Sequence, residues 1–232
     1  MLRTVSECTI CPSRHFCDNE ALTNYSGLCD AGYWCKEGAS ARQPDEDAND
    51  KFGKCPTGGY YCTEGSHEPQ PCPPGTYSPL PKDRLKSVDE CDKCLAGQYC
   101  EVGAQTTTSG PCDAGYYCLK GSPSKQPNGT HGDICPPGTY CPAGSSWPIP
   151  CEEGTYNNIS QQGLCKMCPA GFFCPANSTT PVSCPAGYWC GSGTKFGYEN
   201  ACPEGTFNSL MEQSTIEDCV NCTAGFYCDK QG

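Results

Sequence analysis

The sequence predicts a string of small disulfide-rich repeats, an elongated array with short β-hairpins and little other regular secondary structure. Three observations lead there. A Cys-x-x-Gly-x-aromatic motif starts at Cys29, Cys72, Cys94, Cys112, Cys135, Cys151, Cys168, Cys184, Cys202 and Cys222. Cysteine supplies 25 of 232 residues, a density typical of disulfide scaffolds in oxidising, extracellular compartments. Leu, Ile, Val and Phe together make about 11% of the chain, below the roughly 20% under which an uncrosslinked chain stays disordered.

The motif reads as a turn. Pro or Ala followed by Gly bends the chain tightly, because glycine takes a positive φ without a Cβ clash. The aromatic, at Trp34, Tyr77, Tyr99, Tyr117, Tyr140, Tyr156, Phe173, Trp189, Phe207 and Tyr227, is expected to lie back over the sulfur of its own loop. Cys55 opens a copy with an extra residue, Gly58-Gly59 before Tyr60-Tyr61. Cys11 opens a degenerate one, with Arg14 in the glycine position and Phe16 on register.

Taken in order, the elements group into longer repeats. Residues 8–90 run from Cys8-x-x-Cys11 through elements at Cys11, Cys29 and Cys55 to an open one at Cys72. Residues 91–164 repeat that order at Cys94, Cys112, Cys135 and Cys151. Residues 165–218 hold one element fewer, at Cys168, Cys184 and Cys202, and residues 219–232 begin a fourth repeat at Cys222. Repetition on this scale means units stacked on their neighbours. No window carries a sustained helical period, so a single helical turn near Leu210–Gln213 or within Asp83–Glu90 is the most helix expected.

Spacing also orders the cysteines. Inside nine elements the second cysteine follows after five residues, or six at Cys55, whereas the gaps between elements vary from nine to nineteen. Fixed spacing inside and free spacing outside select short covalent loops: Cys11–Cys17, Cys29–Cys35, Cys55–Cys62, Cys94–Cys100, Cys112–Cys118, Cys135–Cys141, Cys168–Cys174, Cys184–Cys190 and Cys222–Cys228. The open elements then close on the next Cys-x-x-Cys, as Cys72–Cys91, Cys151–Cys165 and Cys202–Cys219, which leaves Cys8 without a partner in this chain. The third repeat lost one whole element and two cysteines together, as short-loop pairing requires.

Cys72-Pro-Pro-Gly-Thr-Tyr-Ser, running to Cys91-x-x-Cys94, resembles the ephrin-receptor-like cysteine-rich repeat, and Cys151–Cys168 and Cys202–Cys222 match it too. That family is related to the tumour-necrosis-factor-receptor and growth-factor-receptor modules. Receptor modules use a crossed pairing, first cysteine to third and second to fourth, which stands as the rival here. The Cys184-Pro-Ala-Gly-Tyr-Trp-Cys190 type of element is similar to those of large secreted and surface proteins, mastigoneme-like flagellar-hair proteins among them. The resemblance covers nearly the whole chain and implies a fold type. Such repeats serve as spacers as often as binding sites.

Composition excludes several functions. A net charge of −11 and a pI near 4.6 oppose nucleic acid and anionic membranes as partners. No apolar run is long enough to insert in a membrane. The opening Met1–Glu7 lacks the apolar region of a signal peptide, so an internal piece of a longer secreted or cell-surface protein is expected. Five Asn-x-Ser/Thr sequons, at Asn24, Asn128, Asn158, Asn177 and Asn221, agree with an extracellular location and make N-linked glycans expected partners. Thr106–Ser109 offers either O-glycan sites or a polar linker.

No catalytic or metal constellation emerges. The Cys-x-x-Cys pairs at Cys8, Cys91, Cys165 and Cys219 lack the separation of a zinc ribbon. Asp45–Asp50 resembles a calcium loop but lacks its sixth-position glycine and has Pro56 at the bidentate position. His15, His67 and His131 have no nucleophile or carboxylate in a recognisable pattern beside them. No enzyme activity and no cofactor are expected. Two functions survive: a stiff, glycosylated structural rod in a filament, stalk, coat or matrix, associating with itself or other extracellular structural proteins, and a receptor or adhesion ectodomain that binds a protein through one repeat.

Overall fold

The computed structural model describes residues 8–45 and 50–229. The chain divides into two compact units, Met1–Gly110 with Lys120–Ser124, and Pro111–Leu119 with Lys125–Gly232. Among the described residues, strands of two or three residues pair as ten two-stranded sheets, and there is no α-helix. The hairpins follow one rule. The residues at and just before the aromatic pair antiparallel with those just before the next element's first cysteine: Tyr60↔Pro71, Thr76↔Lys93, Thr139↔Pro150, Phe172↔Ser183.

Each hairpin begins with the turn that the motif dictates. In the Cys168 element the Phe172 amide donates to Pro169 O at 3.2 Å, and Gly171 between them has φ +85°. This is a type II turn, whose third position needs a positive φ. The degenerate Cys11 element makes the same turn without glycine. His15 N donates to Pro12 O at 3.2 Å, while Arg14 stands at φ +72° and accepts the strain.

Twelve disulfides hold the hairpins. The short-loop bridges are Cys11–Cys17, Cys29–Cys35, Cys55–Cys62, Cys94–Cys100, Cys112–Cys118, Cys135–Cys141, Cys168–Cys174, Cys184–Cys190 and Cys222–Cys228. The long ones are Cys72–Cys91, Cys151–Cys165 and Cys202–Cys219. Cys8 is exposed and free. The core is made of these cystines, most of them fully buried. Apolar packing on them is confined to small clusters. Phe16 and Phe52 pack against Cys29, Cys35 and Ala39, and Tyr61 packs against Cys72, Cys91 and Leu85.

Those clusters correct one expectation. Phe16 belongs to the Cys11 element and Tyr61 to the Cys55 element, yet each covers the bridge of the element that follows. The hairpin explains this, because the aromatic strand pairs with the segment leading into the next cysteine. A second correction concerns helical turns. Among the described residues one 3-10 turn lies at Val88–Glu90, within the expected Asp83–Glu90, and another sits at Ile216–Asp218 and not at Leu210–Gln213. Thr215 and Asp218 form a capping box that fixes the later position, while Glu212 takes φ +63° and cannot be helical.

Candidate functional site: the seam between elements

The feature repeated most faithfully is the seam where one element meets the next. In the first unit the Gly32 amide donates to Cys62 O at 2.8 Å, and Gly32 O accepts from the Cys55 amide at 2.9 Å. Both peptide groups of the turn residue are thus held by the two ends of the following Cys55–Cys62 bridge. Gly75 is held in the same way by Cys94 and Cys100, and Arg14 by Cys29 and Cys35. In the second unit Gly115, Gly154, Gly171 and Gly205 are clasped by the bridges at Cys135, Cys168, Cys184 and Cys222.

The open elements show why they need no second cysteine inside the loop. Ser78, Asn157 and Asn208 occupy its place directly after the aromatic, and all three are buried. Asn157 O accepts from the Gly138 amide and Asn208 O from the Gly187 amide, both at 2.8 Å, so the clasp survives. The side chain of Asn157 adds donations to Thr139 O at 2.9 Å and Leu164 O at 3.2 Å, and Asn208 Nδ2 donates to Tyr188 O at 3.1 Å. The amide nitrogens of Asn157 and Asn208 are thus paired, whereas Asn157 Oδ1 and Ser78 Oγ are buried without a hydrogen-bond partner among the described residues. The sequence signal of these positions is a polar residue directly after each open-element aromatic, which the Cys-x-x-Gly-x-aromatic motif does not include.

A second turn completes the seam, and it too was missed. Three or four residues beyond the second cysteine position a residue adopts positive φ: Gly38, Gly65, Ala104, Gly121, Gly144, Gln161, Asn177, Gly193 and Glu212. Its amide reaches back to the first cysteine of the preceding element, as Gly65 N to Cys29 O and Gly193 N to Cys168 O, each at 2.9 Å. The next residue accepts from the preceding element's second cysteine, as Ser66 O from Cys35 N and Thr194 O from Cys174 N. Ser145, Ser178 and Thr194 also return their hydroxyls to the carbonyl three residues back. The signal in the sequence is Gly or Asn followed by Ser, Thr or Ala three residues after the cysteine.

The same turn touches the element two places away. A Cβ on Gly171 would lie 2.6 Å from Glu212 O, and one on Gly75 2.5 Å from Gly121 O. In the first unit a hydrogen bond of 2.7 Å between Ser13 Oγ and His67 Nδ1 spans the same interval, and His15 Nδ1 lies 2.7 Å from Ser13 O. The His15 and Tyr25 rings meet at a tilt of 39° with centroids 3.8 Å apart.

All five sequon asparagines are exposed. Asn24 Oδ1 accepts from the Tyr25 amide and Asn158 Oδ1 from Lys166 Nζ, while Asn221 lies in a hairpin strand opposite Thr206. Asn177 is at once a sequon and the left-handed seam residue, at φ +61°. Three carboxylates are perturbed, Glu37 being held below the usual range by the hydrogen bond and charge of Lys51. Asp30 is held below the usual range by hydrogen bonds from Gln43 and Arg42, and Asp218 by the backbone amides of Thr215 and Ser214. Beside Asp30 lies an open cleft of about 540 Å³, lined by Tyr33, Gln43, Glu64, Asp83, Arg84 and Lys86 among others. Of the calcium-like run, Glu46–Asn49 lies outside the described residues, and Asp45 meets Lys54 Nζ at 3.5 Å. Among the described residues no group of three His, Cys, Asp or Glu is placed to hold a metal ion.

Compared with known proteins, the chain matches no family model and no curated protein. It is an array of cysteine-rich repeats. Its disulfide density fits an extracellular protein, and no helix among the described residues is long and apolar enough to cross a membrane.

Proposed function

We propose that this chain is a structural segment of an extracellular protein: a stiff, disulfide-stapled, N-glycosylated rod within a filament, stalk, coat or matrix. The observation that carries this is the seam. The same backbone clasp recurs within each unit, at Arg14, Gly32 and Gly75 in the first and at Gly115, Gly138, Gly154, Gly171, Gly187 and Gly205 in the second. Rigidity follows from satisfying the same donors and acceptors at each of these steps. The repeat type on this reading is ephrin-receptor-like, partners are copies of itself or other extracellular structural proteins, and catalysis is not assigned to it. Immunogold electron microscopy tests the reading. Label spaced along an extracellular fibre or coat is expected, and label confined to isolated surface molecules would overturn it. A receptor or adhesion role has one observation in its favour, the mixed-charge cleft beside Asp30.

A further inference from the structure

We propose that an internal water molecule completes the seam between the Cys55 and Cys72 elements, held by Gly59, Ser78 and Gln105. The site lies within the first unit. It goes beyond the structural reading, because it assigns a binding site and its ligand and does not depend on what the segment builds.

Three departures from the repeat meet at this seam. The Cys55 element carries an extra residue, so its turn has Gly58 and Gly59 where other elements have a single glycine. The Cys72 element is open and has Ser78 where a second cysteine would stand. The Ser78 amide donates at 2.9 Å to the carbonyl of Gln105, a residue whose side-chain oxygen is buried.

The backbone clasp is half-made here. At Gly75 both halves are present, Gly75 N donating to Cys100 O and Cys94 N to Gly75 O. Between the Cys55 and Cys72 elements Cys72 N donates to Gly59 O at 2.8 Å, but the other half is not formed. The extra residue shifts the register, and Gly58 N donates past Ser78 to Lys82 O at 2.9 Å. Among the described residues the Gly59 amide and the Ser78 carbonyl have no hydrogen-bond partner. In the second unit the corresponding groups close directly, Gly138 N on Asn157 O and Gly187 N on Asn208 O, both at 2.8 Å.

The side chains add two more groups. Ser78 is fully buried and its hydroxyl is unbonded among the described residues. Gln105 Nε2 donates to Ser109 Oγ at 2.8 Å, which leaves Oε1 as the inner atom, buried and likewise unbonded. These groups share one place in the fold. A Cβ on Gly58 would lie 3.3 Å from Ser78 O, and one on Gly59 2.3 Å from the carbonyl of Ala104, the residue before Gln105. Buried polar groups left unpaired are costly, and one water satisfies all of them. It accepts from the Gly59 amide and the Ser78 hydroxyl and donates to Ser78 O and Gln105 Oε1, in keeping with the roughly three bonds of an internal water. A hard cation fits less well, because the Gly59 amide presents a hydrogen and none of the four groups is charged.

A high-resolution crystal structure of the oxidised chain tests this, with a double-mutant cycle in solution beside it. Density is expected between Gly59, Ser78 and Gln105, about 2.8 Å from Ser78 Oγ and Gln105 Oε1. Oxygen contacts of about 2.4 Å would mark a cation and overturn the water, as would a direct bond from Ser78 Oγ to Gln105 Oε1 with no density between the residues. Ser78→Ala and Gln105→Met each remove one holder of the water, and each should lower the midpoint of chemical denaturation. Because both act through the same water, the double variant should lose less than the sum of the two. Strictly additive losses would overturn the proposal. Deleting Gly58 restores the regular spacing, so the remaining turn glycine should donate directly to Ser78 O and the density should vanish. Density that persists unchanged in the deletion would overturn the part assigned to the extra residue.

Discussion

Asn157 shows how a single residue substitutes for half a cystine. It is fully buried, its carbonyl completes the clasp on Gly138, and its amide donates to two carbonyls in neighbouring segments. Asn157→Ala would leave those carbonyls without their donor and a small void in a core built of sulfur. A loss of about 1–3 kcal/mol is expected in chemical denaturation. Asn177 separates conformation from glycosylation at one position. Asn177→Gly keeps the left-handed seam and should leave stability within about 0.5 kcal/mol, whereas Asn177→Val forces a β-branched residue to φ +61° and should cost about 1–2 kcal/mol. Both remove the sequon, so intact-mass measurement of each against the wild type also reports whether a glycan was there; glycan on at least three of the five sequons is expected. Asp218 gives a pH dependence of known sign. Its carboxylate is stabilised by the Thr215 and Ser214 amides, so its folded pKa lies below the unfolded value of about 3.9. The cap is therefore fully present above about pH 4 and is lost as pH falls through the folded pKa. Exchange protection of the Ser214 and Thr215 amides should fall in acid, and in Asp218→Ala it should be low at every pH.

At the scale of the element, the hairpin and its turn were legible because they are local. A Cys-x-x-Gly-x-aromatic string carries its own type II turn, and the fixed interval to the second cysteine carries the short bridge. The seam was not legible, because it joins backbone groups of different elements, and any side chain compatible with the backbone can stand there. Arg14 makes the point: it breaks the motif, yet takes φ +72° and is clasped like a glycine. Gln161 and Glu212 do the same at the second turn, where they stand outside the Gly or Asn pattern of most copies and four rather than three residues past the second-cysteine position. Phe16 and Tyr61 were misplaced for the same reason, since only the hairpin register shows which bridge they cover. The seam also predicts which glycines resist substitution. Gly171→Ala would put a Cβ 2.6 Å from Glu212 O on a backbone at φ +85°, while Gly225→Ala meets nothing within 4 Å at φ +91°. Left-handed strain of about 1–2 kcal/mol applies to both. Only Gly171→Ala adds a backbone clash, so thermal unfolding should show it the less stable of the two, and equal losses would mean that the seam carries no energy.

For the whole molecule, stability resides in many small contributions of similar kind. A bridge closing a short loop contributes about 2–3 kcal/mol through the entropy of the unfolded chain. Each clasp then ties that bridge to the element before it, so damage should travel a short way and stop. Consider Cys168→Ser with Cys174→Ser. The lost bridge releases the clasp on Gly154, where Gly154 N donates to Cys174 O at 2.7 Å and Cys168 N to Gly154 O at 2.9 Å. It also frees the contacts that Gly193 and Thr194 make to Cys168 and Cys174. Amide exchange should therefore quicken from the Cys151 element to the turn at Gly193–Thr194. The Cys112 element, within the same unit but outside the reach of those contacts, should keep its protection. A single cooperative core would respond otherwise, with protection lost across the unit to the same extent. Exchange measured by mass spectrometry on the doubly substituted chain distinguishes the two. Uniform loss would show that contacts beyond the neighbouring seams hold the array together.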